Sequence, residues 1–245
     1  MSTCKQHIVG AFTVMALIIM AMVANMPKVN AVSKSDDAWA FAMDPALDYT
    51  IIVNEGNPYA FGGEYNRALQ KDLIPVASDC LNESGKIEKA ALIAFTMLKA
   101  DLRTQGMSIG LMDAYRSEAD QQEVYDYYSN LDGWSVANKV LHPGFTEHHT
   151  GLMLNIVVWY NGGGTDGQYQ WWTETAERQQ QYDYFKLLHE TMPKYGFIDR
   201  YPAGKENITG VPCEPYEIRF VGSSAVAQEI HDKGLCLEEY VRIKK

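Results

Sequence analysis

Cysteine is scarce in this sequence, with four residues among 245. Cys4 precedes a long apolar run, which leaves Cys80, Cys213 and Cys236 in the remainder of the chain. These three form no Cys-x-x-Cys pair, so a cysteine-based zinc site and a disulfide-rich scaffold are both disfavoured. One disulfide with one free thiol remains compatible with their number, and the sequence does not select the pair.

Basic residues are also few, because 21 Lys and Arg stand against 31 Asp and Glu, for a formal net charge of −10. Residues 1–31 hold two lysines and no acid, so the rest of the chain carries a charge of about −12. Such an acidic domain argues against nucleic acid as a partner and against docking on anionic lipid headgroups.

Acidic residues are missing from the N-terminus, where an apolar run extends from Ile8 to Ala24. Val29-Asn30-Ala31 offers a small-residue cleavage site after it, so a cleaved signal peptide and an uncleaved membrane anchor are both consistent with this segment. We therefore expect an extracytoplasmic protein, secreted or anchored through residues 8–24. We assign 1–31 to this segment, 32–47 to a linker and 48–245 to one domain.

Hydrophobic periodicity outlines the domain. A stripe of apolar residues at helical spacing predicts a helix over Ile87–Gln105, and Ser117 with Asp120 makes a capping-box start to a helix through Tyr128. Strands are predicted over Ser108–Ala114 and Leu152–Val158, and Asp48–Asn54 reads as a short strand or an extended arm. No repeat and no regular βαβ alternation is present, which indicates an α+β fold.

Two stretches carry residue types suited to chemistry. His148 and Asn155 are seven residues apart, and a straight strand would point them to opposite faces, but a bend at Gly151 would let both side chains converge. Glu214 precedes a proline, so Glu214 to Glu217 reads as a turn that directs both carboxylates into one cleft.

These residues would suit metal-assisted hydrolysis. His148 is a candidate metal ligand, Glu214 a candidate general base, and Arg116, at a strand-to-helix junction, a candidate group for stabilising oxyanion charge. Spacing alone leaves the ordinary alternatives open, namely a surface or core histidine, a solvated glutamate pair and a surface ion pair for Arg116.

From Asp48 to Arg242 the sequence resembles D-alanyl-D-alanine carboxypeptidases of VanY type, in the LAS group of zinc peptidases. The resemblance implies a small antiparallel sheet flanked by helices. It is carried by these segments in order: Val53-Asn54, Tyr115-Arg116-Ser117 with Gln121, Pro143-Gly144, Thr146-Glu147-His148, Thr150-Gly151-Leu152, Tyr195-Gly-Phe-Ile198, Arg200-Tyr-Pro202, Gly204-Lys-Glu206, Ile208-Thr-Gly210, Glu214-Pro215 and Arg219-Phe-Val-Gly222.

The family motif is Ser-x-His-x-x-Gly-x-Ala-x-Asp, followed later by Glu-x-x-His, with zinc bound by both His residues and the Asp. By position, the resemblance makes His148 a zinc ligand and Glu214 the catalytic base. It assigns substrate contacts to Arg116, Gln121 and Thr146, which stands at the serine position.

Two of the three ligand positions differ from that motif, because Asn155 replaces the Asp and Glu217 replaces the last His. Met153 also replaces the Ala of the motif. A neutral amide oxygen is a poor zinc ligand, whereas a glutamate is a competent one. The ligand set His148, Glu217 and Asn155 keeps the formal charge of the family's set at −1, and His149 is a further candidate.

We expect an exported protein that acts on or recognises D-Ala-terminated peptidoglycan stem peptides, with zinc, if any, held weakly and hydrolysis weakened or lost. The alternative is a non-catalytic module that binds cell-wall peptides or regulates a partner. Contact with the membrane is expected only through the N-terminal segment.

Overall fold

The computed structural model describes residues 37–77, 84–130, 140–160 and 183–245. The strands in this part are β1 Leu73–Ala77, β2 Ser84–Glu88, β3 Met107–Asp113, β4 Met153–Tyr160, β5 Phe197–Asp199 and β6 Glu217–Phe220. The α-helices are α1 Glu64–Asp72, α2 Lys89–Thr104, α3 Glu118–Ser129, α4 Asp183–Thr191, α5 Glu206–Thr209, α6 Ser224–Asp232 and α7 Leu237–Lys244. Short 3-10 turns span Ala40–Ala42, Glu147–Thr150 and Met192–Tyr195.

The central sheet has four strands in the order β3-β4-β6-β5, and every neighbouring pair is antiparallel. A separate antiparallel pair is formed by β1 and β2. On β4, Leu154, Ile156 and Val158 belong to the main hydrophobic core, so Asn155 between them points to the opposite face. The predicted α+β class with a small antiparallel sheet flanked by helices is confirmed.

Helix α2 covers the core face of the sheet, as its apolar stripe predicted. Ala90, Ala94, Leu98 and Leu102 on this helix are all fully buried. The helix begins two residues later than predicted because Ile87 and Glu88 pair with β1, and the Glu88 carboxylate caps its first turn. The predicted capping box of Ser117 and Asp120 at the start of α3 is also present.

Residues 48–54 form no strand of the sheet: they begin with a turn, closed by Ile51 N donating to Asp48 O at 3.2 Å, and end at an isolated bridge between Asn54 and Asn57. Their backbone groups bond to buried side chains: Ile51 O accepts from Arg219 Nη2 at 3.1 Å, and Val53 N donates to Glu147 Oε1 at 3.3 Å. Charged side chains thus satisfy backbone groups that a neighbouring strand would otherwise satisfy.

The fold begins before residue 48, at the C-terminal end of the predicted linker. The compact unit starts at Asp37, whose carboxylate accepts a hydrogen bond from Ser224 N. Trp39 is 2 % exposed, donates from Nε1 to Gly222 O at 2.8 Å and packs edge-on against Phe220. Residues 37–47 therefore belong to the domain, because an indole of this size is buried in its core.

The predicted N-terminal segment 8–24 lies outside the described residues. Among those that are described, no helix combines the length and the apolar character needed to cross a membrane.

Replacement of Trp39 tests whether this N-terminal turn is part of the fold. We expect Trp39→Ala to lower the free energy of unfolding by about 3–5 kcal/mol, the usual cost of deleting a buried indole. Urea denaturation measures the change. Phe41→Ala in the same turn is the control, because Phe41 is 67 % exposed, and it should change stability by less than about 0.5 kcal/mol. Equal effects would show that the turn is not packed as described.

Candidate functional site

A buried network of four charged side chains fixes the turn that carries His148. The carboxylate of Glu147 accepts from Arg200 Nη2 and from Arg219 Nε, each at 2.8 Å, and Glu147 and both arginines are fully buried. Arg200 also donates to both carboxylate oxygens of Glu238 on α7. The network pairs two cations with two anions, which is the condition for burying such charges.

The neighbouring His148 is oriented by the backbone on both sides. Thr146 Oγ1 caps the turn by accepting from His148 N, and the ring Nδ1 bonds to Ala114 O. A carbonyl accepts only from a protonated nitrogen, so Nδ1 carries a proton, and in the neutral imidazole Nε2 presents the lone pair. His148 Nε2 is buried and has no hydrogen-bond partner among the described residues.

Three polar residues lie in register across neighbouring strands beside this imidazole. Asn155 on β4 pairs with Asp113 on β3 and with Glu217 on β6. Directly paired residues point to the same face, so the three side chains form one row on the side of the sheet away from the main core. The predicted bend is confirmed, because Gly151 has φ +70° and ends the turn that presents His148.

Two members of the row complete a donor set with His148. Glu217 Oε1 is 3.6 Å from His148 Nε2, and Asn155 Oδ1 is buried without a hydrogen-bond partner among the described residues. Two tetrahedral zinc ligands about 2.0–2.2 Å from the ion lie about 3.4 Å apart. The spacing of His148 and Glu217 therefore suits two ligands of one ion.

The turn from Glu214 to Glu217 is present as predicted, with Glu217 N donating to Glu214 O at 2.9 Å. Burial raises the pKa of Glu214 well above its usual range, and the carboxylate of Glu217, which shares a hydrogen bond with it, raises this pKa further. Arg116 acts in the opposite direction. Two carboxylates this close disfavour each other's charged form.

Arg116 reaches the same region and is held from two sides. Its Nη1 donates to Gln121 Oε1 at 3.0 Å, and its Nε and Nη2 both lie 2.6 Å from Asp113 Oδ2. Gln121 is buried and donates in turn to Leu141 O. Gln121 therefore lies next to Arg116, and the contacts of both residues with substrate remain predictions.

Asp113 was not predicted as a member of the site. Burial alone would raise the pKa of Asp113, but the charge of Arg116, assisted by His148 and the hydrogen bonds to this carboxylate, lowers it below its usual value. The only sequence signal was its position three residues before Arg116 at the end of a predicted strand.

His149 and Thr146 have structural contacts. Both ring nitrogens of His149 are engaged, Nδ1 with Arg116 O at 2.7 Å and Nε2 with Gly144 N at 2.9 Å. Burial lowers the pKa of His149 to about 4. It is therefore a neutral brace between two loops and is not placed as a substitute ligand. Thr146 is 4 % exposed and serves as the cap of the turn, and its predicted contact with substrate remains a prediction.

The donor set fits a weakly held divalent cation. The part of the chain that the structure describes contains no group of three or more His, Cys, Asp or Glu residues able to hold a metal ion. The set of His148, Glu217 and Asn155 instead combines two strong ligands with a neutral amide. Two of its donor atoms, His148 Nε2 and Asn155 Oδ1, are buried with no hydrogen-bond partner in the described part of the chain. An open imidazole nitrogen beside a carboxylate is a ligand pair that zinc accepts.

Residues 84–223 match the model of the VanY family, D-alanyl-D-alanine carboxypeptidase. The chain belongs to this family. It is 33% identical over 153 residues to a D-alanyl-D-alanine carboxypeptidase of Enterococcus faecalis, which covers 58% of this chain and 51% of the relative. It is 31% identical over 150 residues to the bifunctional D-Ala-D-Ala dipeptidase and carboxypeptidase VanXYC of Enterococcus gallinarum, covering 61% of this chain and 70% of that one.

Solved structures agree with this assignment. VanYB in complex with D-alanine-D-alanine aligns with a TM-score of 0.59 at 28% identity, over 80% of this chain and 99% of that one. A Zn(II) complex of a vancomycin resistance D,D-pentapeptidase VanY mutant aligns with a TM-score of 0.58 at 28% identity, over 79% of this chain and 98% of that one. The LdcB LD-carboxypeptidase aligns with a TM-score of 0.61 at 28% identity, over 78% of this chain and 84% of that one. The chain spans about half the length of the first curated relatives that it matches.

Removing the charge of Glu147 tests the network beneath the turn. Burial raises the pKa of this carboxyl, but the guanidiniums of Arg200 and Arg219 outweigh burial and lower it. We expect Glu147→Gln to cost about 3–5 kcal/mol at neutral pH, because buried cations lose their counter-charge.

Because the pKa of Glu147 is lower in the folded protein than in the unfolded chain, where it is about 4.3, the ionised carboxylate stabilises the fold above that value. This stabilisation is lost as the pH falls through the folded pKa. The loss of unfolding free energy caused by Glu147→Gln, measured by urea denaturation, should therefore become smaller in acid. Glu229→Gln is the control, since this partly exposed carboxylate pairs with Lys233 and Lys244 at the surface, and it should change stability little. A penalty independent of pH would contradict the ion-pair explanation.

Proposed function

We propose that this protein recognises D-Ala-terminated stem peptides of peptidoglycan and hydrolyses them slowly, as a VanY-type peptidase with a weakened metal site. The observation that carries the proposal is the open Nε2 of His148, 3.6 Å from Glu217 and beside the unpartnered amide oxygen of Asn155. A site that had become purely structural would have filled these donors with hydrogen bonds, because buried polar atoms without partners are costly.

The substrate class is supported by the relatives. Proteins of similar sequence are named D-alanyl-D-alanine carboxypeptidases, and VanYB has been solved with D-alanine-D-alanine bound. In this chain, Arg116 would bind the carbonyl or carboxylate of the peptide while Gln121 fixes the plane of its guanidinium. Glu214 would take the proton of the attacking water, as its place beside Arg116 and Glu217 allows.

Zinc would be held by His148, Glu217 and Asn155, and when bound it would acidify a water molecule for attack on the peptide. The amide at position 155 contributes no charge to this binding, so a lower affinity than that of a His-His-Asp set is expected. In the metal-free protein, burial and Glu217 raise the pKa of Glu214, which lowers the fraction of this carboxyl that can act as a base.

A second candidate function is a non-catalytic module that binds wall peptides or regulates a partner. The raised pKa of Glu214 favours it, because a carboxyl acts as a base only in its deprotonated form. On this reading, binding of the stem peptide would be insensitive to chelators, whereas metal-dependent binding would favour the peptidase.

The cellular location is also a proposal. The apolar run from Ile8 to Ala24 would export the domain or anchor it on the outer side of the membrane, where peptidoglycan lies.

Restoring both family ligands tests the weakened site. We expect Asn155→Asp/Glu217→His to bind zinc at least tenfold more tightly than the native protein and to release D-alanine faster, because the double variant has two imidazoles and a carboxylate. Metal content after dialysis and D-alanine release from a D-Ala-D-Ala pentapeptide are the measurements. The same variant with His148→Ala is the control. A native protein as active as the double variant would contradict a weakened site.

Replacement of Arg116 tests peptide recognition. We expect Arg116→Ala to weaken binding of the pentapeptide at least tenfold, since a charge-assisted hydrogen bond is lost. Calorimetric titration gives the affinity. Arg103→Ala removes an equal charge from the exposed end of α2 and should leave the affinity unchanged. If both variants bind as the native protein does, Arg116 takes no part in recognition.

A further inference from the structure

Asp113 belongs to the polar row with Asn155 and Glu217 because of an irregularity in β3. The pairing of β3 with β4 shifts between Leu111 and Asp113, so that Leu111 faces Ile156 and Asp113 faces Asn155. In a regular strand Met112 would occupy that place, and Asp113 would point to the core face. A bulge next to an active site often re-aims one side chain in this way. The carboxylate of Asp113 is thus placed on the same face as Asn155 and Glu217.

The carboxylate of Asp113 binds the guanidinium that the proposed function assigns to the substrate. Both Nε and Nη2 of Arg116 lie 2.6 Å from Asp113 Oδ2, and the side chains are 15 % and 28 % exposed. Solvent therefore screens this ion pair only in part. Among the described residues, the other side-chain hydrogen bond of Arg116 is to a neutral amide, Gln121 Oε1. A peptide carboxylate that binds Arg116 would therefore contact a guanidinium whose charge is already balanced by Asp113.

The identity of residue 155 agrees with this arrangement of charge. Asn155 is the direct cross-strand partner of both Asp113 and Glu217. An aspartate at this position would place three carboxylates side by side, and like charges directly opposite each other are destabilising. The neutral amide of Asn155 is compatible with a carboxylate on each side.

We propose that Asp113 is a specificity-determining residue, which neutralises Arg116 and so removes most of the preference for a peptide with a free terminal carboxylate. This inference rests on the proposed function, since it assumes that stem peptides bind beside Arg116. The native cleft accepts a peptide ending in a carboxamide nearly as well as the same peptide ending in a carboxylate.

The test compares two pentapeptides ending in D-Ala-D-Ala, one with a free carboxylate and one with a C-terminal carboxamide, by calorimetric titration. Each peptide is titrated into the protein in a buffer that contains EDTA and again in a buffer that contains zinc. We expect Asp113→Asn to raise the ratio of carboxylate to carboxamide affinity about fivefold, the usual worth of a part-exposed ion pair. The asparagine oxygen can still accept from Arg116 Nε, so the guanidinium stays in place.

Two further variants separate charge from position. Asp113→Ala removes both the charge and the contact to Arg116, and it should lower the affinity for both peptides while still raising the ratio. Glu123→Gln removes one charge from the exposed surface of α3 and should leave the ratio as it is. Thermal unfolding verifies that every variant is folded.

The outcomes distinguish this inference from the function on which it rests. Peptide binding with the same ratio in the native protein, Asp113→Asn and Asp113→Ala overturns the role of Asp113 alone. Absence of binding for both peptides in either buffer overturns the proposed function and this inference with it.

Discussion

The carboxylate of Glu147, held between two buried guanidiniums, is the interaction on which the candidate site depends. It joins the turn of His148 to Arg219 on β6, only two residues from Glu217. Through Arg200 the same carboxylate is tied to α7 at the C-terminus. Buried ion networks contribute little net stability compared with apolar packing. Here the network fixes the positions of two site residues. His148 is one residue from Glu147, and Glu217 is two residues from Arg219.

Local sequence rules predicted the parts of the structure that local physics determines. The apolar stripe of α2, the capping box at Ser117, the bend at Gly151 and the turn before β6 each depend on residues a few positions apart. Such signals need no knowledge of distant contacts. The family resemblance then located His148 and Glu217 on opposite sides of one site, which spacing alone left open.

Other features depended on contacts between distant residues and were not predicted. The sequence around Trp39 predicts a linker, but in the structure Trp39 donates a hydrogen bond to Gly222, 183 residues away. The bulge in β3 changes the face of Asp113 without any glycine or proline to mark it. Helix α1 was not predicted, although Tyr65, Ala68 and Leu69 stand at helical spacing. Strand β1 contains Pro75, a residue that disfavours a strand prediction. For Trp39 and Asp113, tertiary contacts decided a conformation that local propensity did not specify.

The turn Glu147–Thr150 presents four consecutive buried side chains to four different surroundings. Glu147 enters the ion network, His148 faces the polar row, His149 braces two loops, and Thr150 bonds back to Glu147 O and caps Leu152 N. A one-residue insertion or deletion here would exchange these surroundings and place an imidazole between two guanidiniums. The length of this segment is therefore under stricter constraint than the identity of most residues around it, and natural variation in this protein should occur as substitution and not as a change in loop length.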